Sequence, residues 1–460
     1  MGIIPCSAQQ FSALEGSIYG SIVNTAVQPA AGANMPYRWG VEVVGLNSFW
    51  NNNIYAFSPV TLNGSGKGAN GYFLTGASKR WGNLQADVHL LNFLFRWPRQ
   101  KNIVVGAGWN LHSTTYVDKL DYLYEDSMTT MGSFLQENVF NTIGQGRVVD
   151  QQWMEWYVTA STVILDNPTE RFTAGATLKL LKGISAVAVD LDAVSVALDK
   201  STNPGQLAFT MASGRYGYSK NLEELDGKSS GETVKTLMNG APFSPGIDLG
   251  ITYVRKKQTV IAGFTNDDPA GYDWKLEVAL TDLGRLKYPL GDQSVVLKGP
   301  RGRPAVERLT RLTDSVSTLE SFNDTLATMA VLEKWPGAFS VSLPTALRIN
   351  VDKNLGTHFY VNARLVLDMS FLVPGVDYKI RQDSYLMLTP RWEVKRFGVY
   401  APLYLNVHGS LMAGAALRLG PLVAGVHDLG WLFRNQAKGG AYVGLVIKGL
   451  FKKKDECPSL

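Results

Sequence analysis

Cysteine is nearly absent from this chain of 460 residues. Its two cysteines, Cys6 and Cys457, lie at opposite ends and provide neither a zinc-binding spacing nor a disulfide framework. Charged residues are also scarce, at 18% against roughly 25% in a typical soluble domain. The net charge of +5 is spread along the chain, with dense basic clusters only at 255–257 and 452–454, so we predict no binding to nucleic acid.

Long apolar runs are missing as well, and none approaches the roughly 18 residues that a membrane helix needs. A chain that spans a membrane without such helices must close its sheet into a barrel, because lipid offers no partner to unpaired backbone groups. Glycine (46), tyrosine (19) and tryptophan (11) are plentiful by contrast. This composition fits either a wall that faces lipid or a large soluble β-protein.

The motifs of common enzyme sites are also absent. Residues 63–68 resemble a phosphate-binding loop, but Thr61 stands in place of its first glycine and Gly68 in place of the magnesium-binding Ser or Thr. None of the five histidines has a His or Cys partner at ligand spacing, and no serine lies in a nucleophile elbow. We therefore predict no catalytic, cofactor-binding or metal-binding residues, and the protein is not predicted to be an enzyme.

What the sequence does contain is alternation of apolar with small or polar residues, in segments of about ten residues. From Phe359 to Phe371 every odd position is apolar, whereas the even positions include Arg364 and Asp368. Such segments are long enough for a tilted strand that crosses a bilayer in about 9–11 residues. We predict an all-β fold, an antiparallel transmembrane β-barrel of about 14 strands (12–16), an even number that leaves both termini in the periplasm.

The predicted domain organisation has four parts. Residues 1–8, which end in Cys6-Ser7-Ala8, are typical of the small-residue end of a secretory signal, although an ordinary disordered N-terminus stays open. Residues 9–37 form an N-terminal periplasmic or plug segment, residues 38–451 form the barrel, and residues 452–460 form a C-terminal tail. Because a membrane sheet cannot leave an open edge, we expect the strand near 38–48 to pair with the strand near 440–451.

Alternation also assigns the two faces of the wall. We expect apolar side chains to face lipid at Ile103, Val105, Leu178, Leu249, Leu276, Leu365 and Leu367. We expect charged side chains to face the lumen at Lys179, Asp190, Asp192, Asp248, Arg364 and Asp368. On this assignment Leu365→Arg destabilises the barrel strongly, and Arg364→Leu destabilises it less. Aromatic girdles are expected at Trp39, Trp50, Trp81, Trp97, Trp153, Trp156, Trp392 and Trp431.

Two stretches break the alternation and are predicted to be partly helical excursions. Residues 118–142 mix acidic residues with Met128, Met131 and Phe134, which are plug candidates if the stretch folds into the barrel mouth. An extracellular loop with a short helix packed on its neighbours is the equal alternative. Residues 303–333 have apolar residues mostly three or four apart, which is typical of an amphipathic helix.

Six segments carry a resemblance to a known family: 153–157 (WMEWY), 171–183 (RFTAGATLKLLKG), 245–253 (PGIDLGITY), 342–345 (SLPT), 418–425 (RLGPLVAG) and 439–445 (GGAYVGL). In this order they resemble an uncharacterised, domain-of-unknown-function family of Bacteroidota outer-membrane barrels. That family is similar in layout to fatty-acid-transporter-like barrels with 14 strands, including those associated with type IX secretion. The resemblance implies a barrel fold and transfers no catalytic residue.

The leading functional interpretation is an integral protein of the cell outer membrane. It either passes a small ligand, hydrophobic ligands included, or serves as a structural component of a surface or secretion complex. Its partners are then membrane lipid and other envelope proteins. A soluble periplasmic all-β binding protein is the alternative. An open polar path through the lumen favours transport, whereas a filled lumen favours a scaffold.

Overall fold

The computed structural model describes residues 12–58, 71–97, 102–128, 130–138, 145–201, 206–225, 229–257, 271–305 and 318–449. The predicted signal remnant (1–8), the tail (452–460) and the loop 63–68 lie outside these ranges, as do parts of 118–142 and 303–333. Among the described residues, no helix has the length and apolarity required to cross a membrane.

The strands, in chain order, are β1 Trp39–Asn52, β2 Tyr55–Ala56, β3 Tyr72–Phe73, β4 Gly76–Arg96, β5 Ile103–Tyr124, β6 Gly146–Asp166, β7 Glu170–Asp199, β8 Gln206–Tyr218, β9 Phe243–Lys256, β10 Tyr272–Pro289, β11 Val295–Pro300, β12 Ala330–Lys334, β13 Ala338–Ser342, β14 Ala346–Gly356, β15 Phe359–Asp368, β16 Tyr385–Glu393, β17 Phe397–Tyr400, β18 Leu403–Asn406, β19 Leu411–Ala413, β20 Ala415–Leu419, β21 Leu422–Val426, β22 Lys438–Gly439 and β23 Ala441–Lys448. The α-helices are Ser21–Asn24, Met131–Glu137, Ser230–Leu237 and Leu319–Met329, and 3₁₀ turns span Ser12–Leu14, Ile18–Gly20, Pro29–Asn34, Lys220–Leu225, Ser370–Leu372 and Leu429–Leu432.

The wall is a closed antiparallel barrel of 14 strands. In order around the barrel these are β1, β4, β5, β6, β7, β9, β10, β14, β15, β16, β17 with β18, β19 with β20, β21 and β23. The predicted closure is confirmed: β23 returns to β1, with Gly40 opposite Lys448 and Asn47 opposite Tyr442. Pro402, which has no N–H to donate, separates β17 from β18, and its carbonyl accepts from Gly414 N at 2.8 Å across the break.

The two ends of the barrel differ. Short turns join the strands at the end where β1 begins and β23 ends, for example 357–358 and 420–421. The opposite end carries most of the long connections, and the connection 257–271 between β9 and β10 is the exception at the first end. Short periplasmic turns and longer extracellular loops are the arrangement of an outer-membrane barrel. At the extracellular end β7 continues to Asp199 and pairs with β8, and β8 pairs with β11.

The faces of the wall follow the alternation. Leu178, Leu249 and Leu365 are 65%, 46% and 37% exposed, and none of the seven predicted outward side chains is buried. Asp248 and Arg364, which precede Leu249 and Leu365 on the other face, are 1% and 0% exposed. An apolar outer face around a polar interior is the reverse of a soluble barrel, and it identifies a transmembrane wall of the outer-membrane type.

The tryptophans divide into two groups. Trp39 and Trp97 are 43% and 47% exposed near the periplasmic end, as a girdle requires. The girdle prediction is wrong for Trp50, Trp153 and Trp431, which are 9%, 3% and 7% exposed. Trp50 packs edge-on against Trp431, and Trp153 belongs to an interior cluster. Proximity to a strand end does not reveal which face a ring occupies.

Each of the two excursions contains one helix within its described residues. Strand β5 continues to Tyr124, so the first part of 118–142 is strand, and the helix there spans only Met131–Glu137, capped by Thr130. Similarly, the described part of 303–333 has a helix at Leu319–Met329, and β12 follows it directly. Strand β15 ends at Asp368, three residues before the predicted end of its alternation. Each of these strands extends as far as it pairs with a neighbouring strand and ends where that pairing is lost.

The lipid-facing assignment leads to a prediction for Leu365, which lies six residues from the periplasmic start of β15 and so near mid-membrane. Leu365→Arg should destabilise the barrel by about 2–4 kcal/mol, because an arginine there is buried in hydrocarbon. Urea unfolding in liposomes measures this cost, with Leu365→Met as the control that keeps the site apolar. Equal stability of the two variants would contradict the assigned face.

Candidate functional site

The lumen contains residues 12–37, called here the lumen segment. Its apolar side chains Leu14, Ile22, Val23, Met35 and Tyr37 are at most 2% exposed. They share one cluster with inward-facing wall residues of β4, β5, β17, β20, β21 and β23. The segment therefore fills the periplasmic part of the barrel rather than extending from it.

Polar contacts attach the start of the lumen segment to the wall. Glu15 forms an ion pair with Arg364 at 2.9 Å, and these side chains are 3% and 0% exposed. Lys275 Nζ donates to the carbonyl of Gly16 at 2.7 Å. Ser17 donates to Glu393 at 2.6 Å. Three wall strands, β15, β10 and β16, thus hold three consecutive residues.

Wall glycines make room for the next part of the segment. A Cβ on Gly175 would lie 2.5 Å from the carbonyl carbon of Pro29, and one on Gly250 would lie 1.9 Å from Gln28 Oε1. Gln28 Nε2 donates to the carbonyls of Ile251 and Val278, both at 3.1 Å. Only a residue without a side chain allows the segment to approach these two strands so closely.

Above the lumen segment lies a cluster of one lysine and three carboxylates. Lys179 Nζ is 2.7 Å from Asp282, 2.9 Å from Asp248 and 3.3 Å from Glu155. Asp282 reaches this cluster from a bulge in β10, where its own φ is +59° and the pairing register with β9 shifts. A bulge re-aims a side chain in this way at a local conformational cost.

A central cavity of about 50 Å³ borders this cluster. His112 bonds Asp87 through Nδ1, and its ring stacks on Trp153 at 4.9 Å. Within the described part of the chain, Gln85 Nε2 and Trp153 Nε1 line the cavity without a hydrogen-bond partner. The cavity offers fixed charges and unused donors, and its volume suits a few water-sized groups.

Residues 369–384, called here the mouth loop, cover the cavity from the extracellular side. Asp368 accepts hydrogen bonds from the backbone N–H groups of Ser370 and Gln382, both at 3.2 Å, which ties the two ends of the loop together. Asp383 accepts from Asn51, Tyr404 and Asn406 at 3.3, 2.7 and 2.9 Å. The loop is thereby fixed to two strands of the wall, β1 and β18.

A second cavity, the mouth cleft, lies on the other side of Gln382 and measures about 260 Å³. Its lining includes Trp81, which stacks on His408 at 4.0 Å, and the partly buried Tyr116. Gln382 lines both the mouth cleft and the central cavity and is 5% exposed. Gln382 therefore lies between the mouth cleft and the central cavity.

The six predicted lumen residues fall in different places. Lys179 and Asp248 meet in one cluster, and Arg364 and Asp368 hold the lumen segment and the mouth loop, as described above. Asp190 lies beyond them and pairs with Arg147 and Arg215 at 3.1 and 3.5 Å. These two guanidinium groups flank the Tyr378 ring of the mouth loop, and burial raises the pKa of that hydroxyl, which keeps it neutral. Asp192 is exposed on the extension of β7.

Of the plug candidates in 118–142, Phe134 does not occupy the lumen. Phe134 packs against Tyr122 and joins a cluster with Val196, Phe209 and Met329 on the extracellular extension. Met128 is 7% exposed, and Met131 is the first residue of the short helix. The helix finds its apolar partners outside the wall, so the alternative of a helix packed on its neighbours describes this stretch.

Sequence reasoning did not identify Glu15, Glu155 and Asp282 as lumen residues. Glu15 lies in a segment without periodicity, and the bulge reverses the face that alternation assigns to Asp282. The signal that was available is glycine at inward strand positions, such as Gly175 and Gly250 in the family-like segments. Inward glycines in adjacent strands indicate a close backbone approach from inside.

A family model, described as "Family of unknown function (DUF5723)", matches residues 29–426. No curated protein matches the chain. Among solved structures, the toluene transporter TbuX of Ralstonia pickettii is 10% identical, with 93% of this chain and 94% of that chain covered and a TM-score of 0.42. A FadL homologue of Pseudomonas aeruginosa is 10% identical, with 97% and 99% covered and a TM-score of 0.43. At these values the likeness carries no argument about function.

The buried ion pair corrects the expectation that Arg364→Leu is mild. Removal of Arg364 leaves Glu15 buried without its counter-charge, which should cost about 3–5 kcal/mol of unfolding free energy. Because the two residues share one contact, Glu15→Gln combined with Arg364→Leu should cost less than the sum of the single changes.

Urea unfolding in liposomes measures both. Lys353→Gln is the control, since its ion pair with Asp273 is 48% and 40% exposed and should contribute less than about 1 kcal/mol. Strict additivity of the Glu15 and Arg364 changes would show that the pair is not coupled.

Proposed function

We propose that this chain, which belongs to the DUF5723 family of unknown function, is a gated outer-membrane channel for small polar solutes. The observation that carries the proposal is that the lumen segment and the barrel wall are separate structural parts. The lumen segment is no part of the sheet and packs in the periplasmic part of the lumen, and the central cavity and the mouth cleft lie above it on either side of Gln382.

The lining supports polar rather than hydrophobic solutes. Lys179, Asp282, Glu155 and Asp87 border the central cavity, together with amide and indole donors. A pocket for an apolar ligand is lined mainly by apolar side chains with few polar groups. Moving an apolar molecule through this cavity would bury charged groups against hydrocarbon, which is strongly unfavourable.

The alternative is a structural component of a surface or secretion complex. The filling of the lumen favours it, since the lumen segment occupies the periplasmic part of the lumen and the mouth loop covers the central cavity. A scaffold requires no movement of the lumen segment, whereas a channel does. Removal of that segment therefore separates the two functions.

Deletion of residues 12–34 should convert the barrel into an open pore. We expect single-channel conductance in planar bilayers well above that of the full chain, because the route to the periplasmic end is then unobstructed. Adding Gln382→Trp to the deletion variant should reduce the conductance, since Gln382 lies between the two cavities. Lys298→Trp, at an exposed site on the extracellular extension, is the matched control and should leave it unchanged.

Insertion and folding are checked first, by protection of the barrel from protease in liposomes. A deletion variant that inserts correctly and conducts no more than the full chain would support the scaffold. A pore that responds equally to the tryptophans at 382 and 298 would contradict the proposed route.

A further inference from the structure

The outward face of the wall changes from apolar to basic towards the extracellular end of β7 and β10. On β7, Leu178 and Leu180 are 65% and 48% exposed, and Lys182 occupies the next outward position. On β10, Arg285 and Lys287 are exposed above the apolar part of the strand. Lys182, Arg285 and Lys287 are called here the basic patch.

The direction of these three side chains follows from their neighbours. Leu181, Leu286 and Tyr288 are all 0% exposed and belong to one interior cluster. Successive side chains of a strand point to opposite faces. Lys182, Arg285 and Lys287 are each adjacent in sequence to one of these inward-facing residues, so they face outward.

The patch is contiguous across the wall. β9 lies between β7 and β10, and its Phe243 is the pairing partner of Lys182. On the inner side, a Cβ on Gly183 would lie 2.5 Å from Cε1 of Tyr288, so the two strands are close at this level. Lys182 directly precedes Gly183, and Lys287 directly precedes Tyr288. Because β7 and β10 are two strand spacings apart, the backbones of the two lysines lie about 10 Å apart.

The patch lies at the outer membrane boundary. Lys182 is 182 − 170 = 12 residues from the periplasmic start of β7, which corresponds to about 30 Å for a strand tilted by about 40°. An apolar band is about 25 Å tall and is flanked by aromatic residues. Phe243 is 57% exposed with Lys182 Nζ 4.9 Å from its ring centroid, and Trp156 lies 6.0 Å from the same ring.

The cations of the patch are available to a ligand. Among the described residues none of the three forms an ion pair. Arg285 Nη1 donates to the carbonyls of Pro374 and Gly375, both at 3.2 Å, which fixes the guanidinium in place. A guanidinium has five N–H donors, so donors remain for a further acceptor.

We propose that the basic patch binds the phosphate groups of a lipid in the outer leaflet. A fixed guanidinium flanked by two lysines matches the charge and hydrogen-bonding capacity of a lipid phosphate, and Phe243 and Trp156 pack beside its acyl chains. Basic residues at a membrane surface attract anionic headgroups, each with a contribution that corresponds to about a fivefold change in affinity.

The test uses the full chain in detergent micelles with bisphosphorylated lipid A as the probe, and native mass spectrometry to measure bound lipid. The patch variant combines Lys182→Gln, Arg285→Gln and Lys287→Gln. The control variant combines Lys79→Gln, Lys119→Gln and Lys200→Gln, three exposed cations elsewhere on the same half of the barrel, and changes the net charge by the same amount.

We expect the patch variant to bind lipid A about 100-fold more weakly than the control variant, from three charges at about fivefold each. Dephosphorylated lipid A should bind both variants equally. Equal binding of bisphosphorylated lipid by the two variants overturns the proposal. So does binding of inorganic phosphate with the affinity of the lipid, since the source would then be a free anion. Neither result depends on whether the lumen conducts.

Discussion

Closure of the sheet between β1 and β23 is the constraint on which the rest of the structure depends. A closed wall satisfies every strand hydrogen bond inside lipid, and it also sends alternate side chains of all 14 strands into one lumen. Charged groups can remain there only if they are paired, because an isolated buried charge is very unfavourable. The clusters around Lys179 and Arg391 meet this condition, with Arg391 bonded to Asp352 at 2.6 Å and to Glu393 at 2.9 Å.

The same constraint explains how the lumen segment is held. Glu393 serves both the wall, through Arg391, and the segment, through Ser17. Arg364 similarly bonds Asn350 on the neighbouring strand and Glu15 on the segment. The segment thus completes charge networks that the wall alone leaves incomplete. The lumen segment and the wall are therefore coupled through shared charged residues, even though no strand pairing joins them.

Much of the wall could be predicted from the sequence, because the period of two is local: Leu249 and Asp248 are adjacent, and their faces follow from each other. What alternation could not give was any feature that depends on a partner far along the chain. Asp282 faces the lumen because a bulge reverses the local parity, and Trp153 faces inward against residues of β7 and β10. The lumen segment has no period at all, and only the inward glycines of β7 and β9 indicated that something packs against them.

Burial of apolar side chains also holds the lumen segment in place. Five large apolar side chains, Leu14, Ile22, Val23, Met35 and Tyr37, would return to water if the segment left the lumen. At about 1.5–3 kcal/mol each, their exposure alone costs roughly 10 kcal/mol. Apolar burial therefore acts together with the buried ion pair of Glu15 and Arg364 to hold the segment inside the wall.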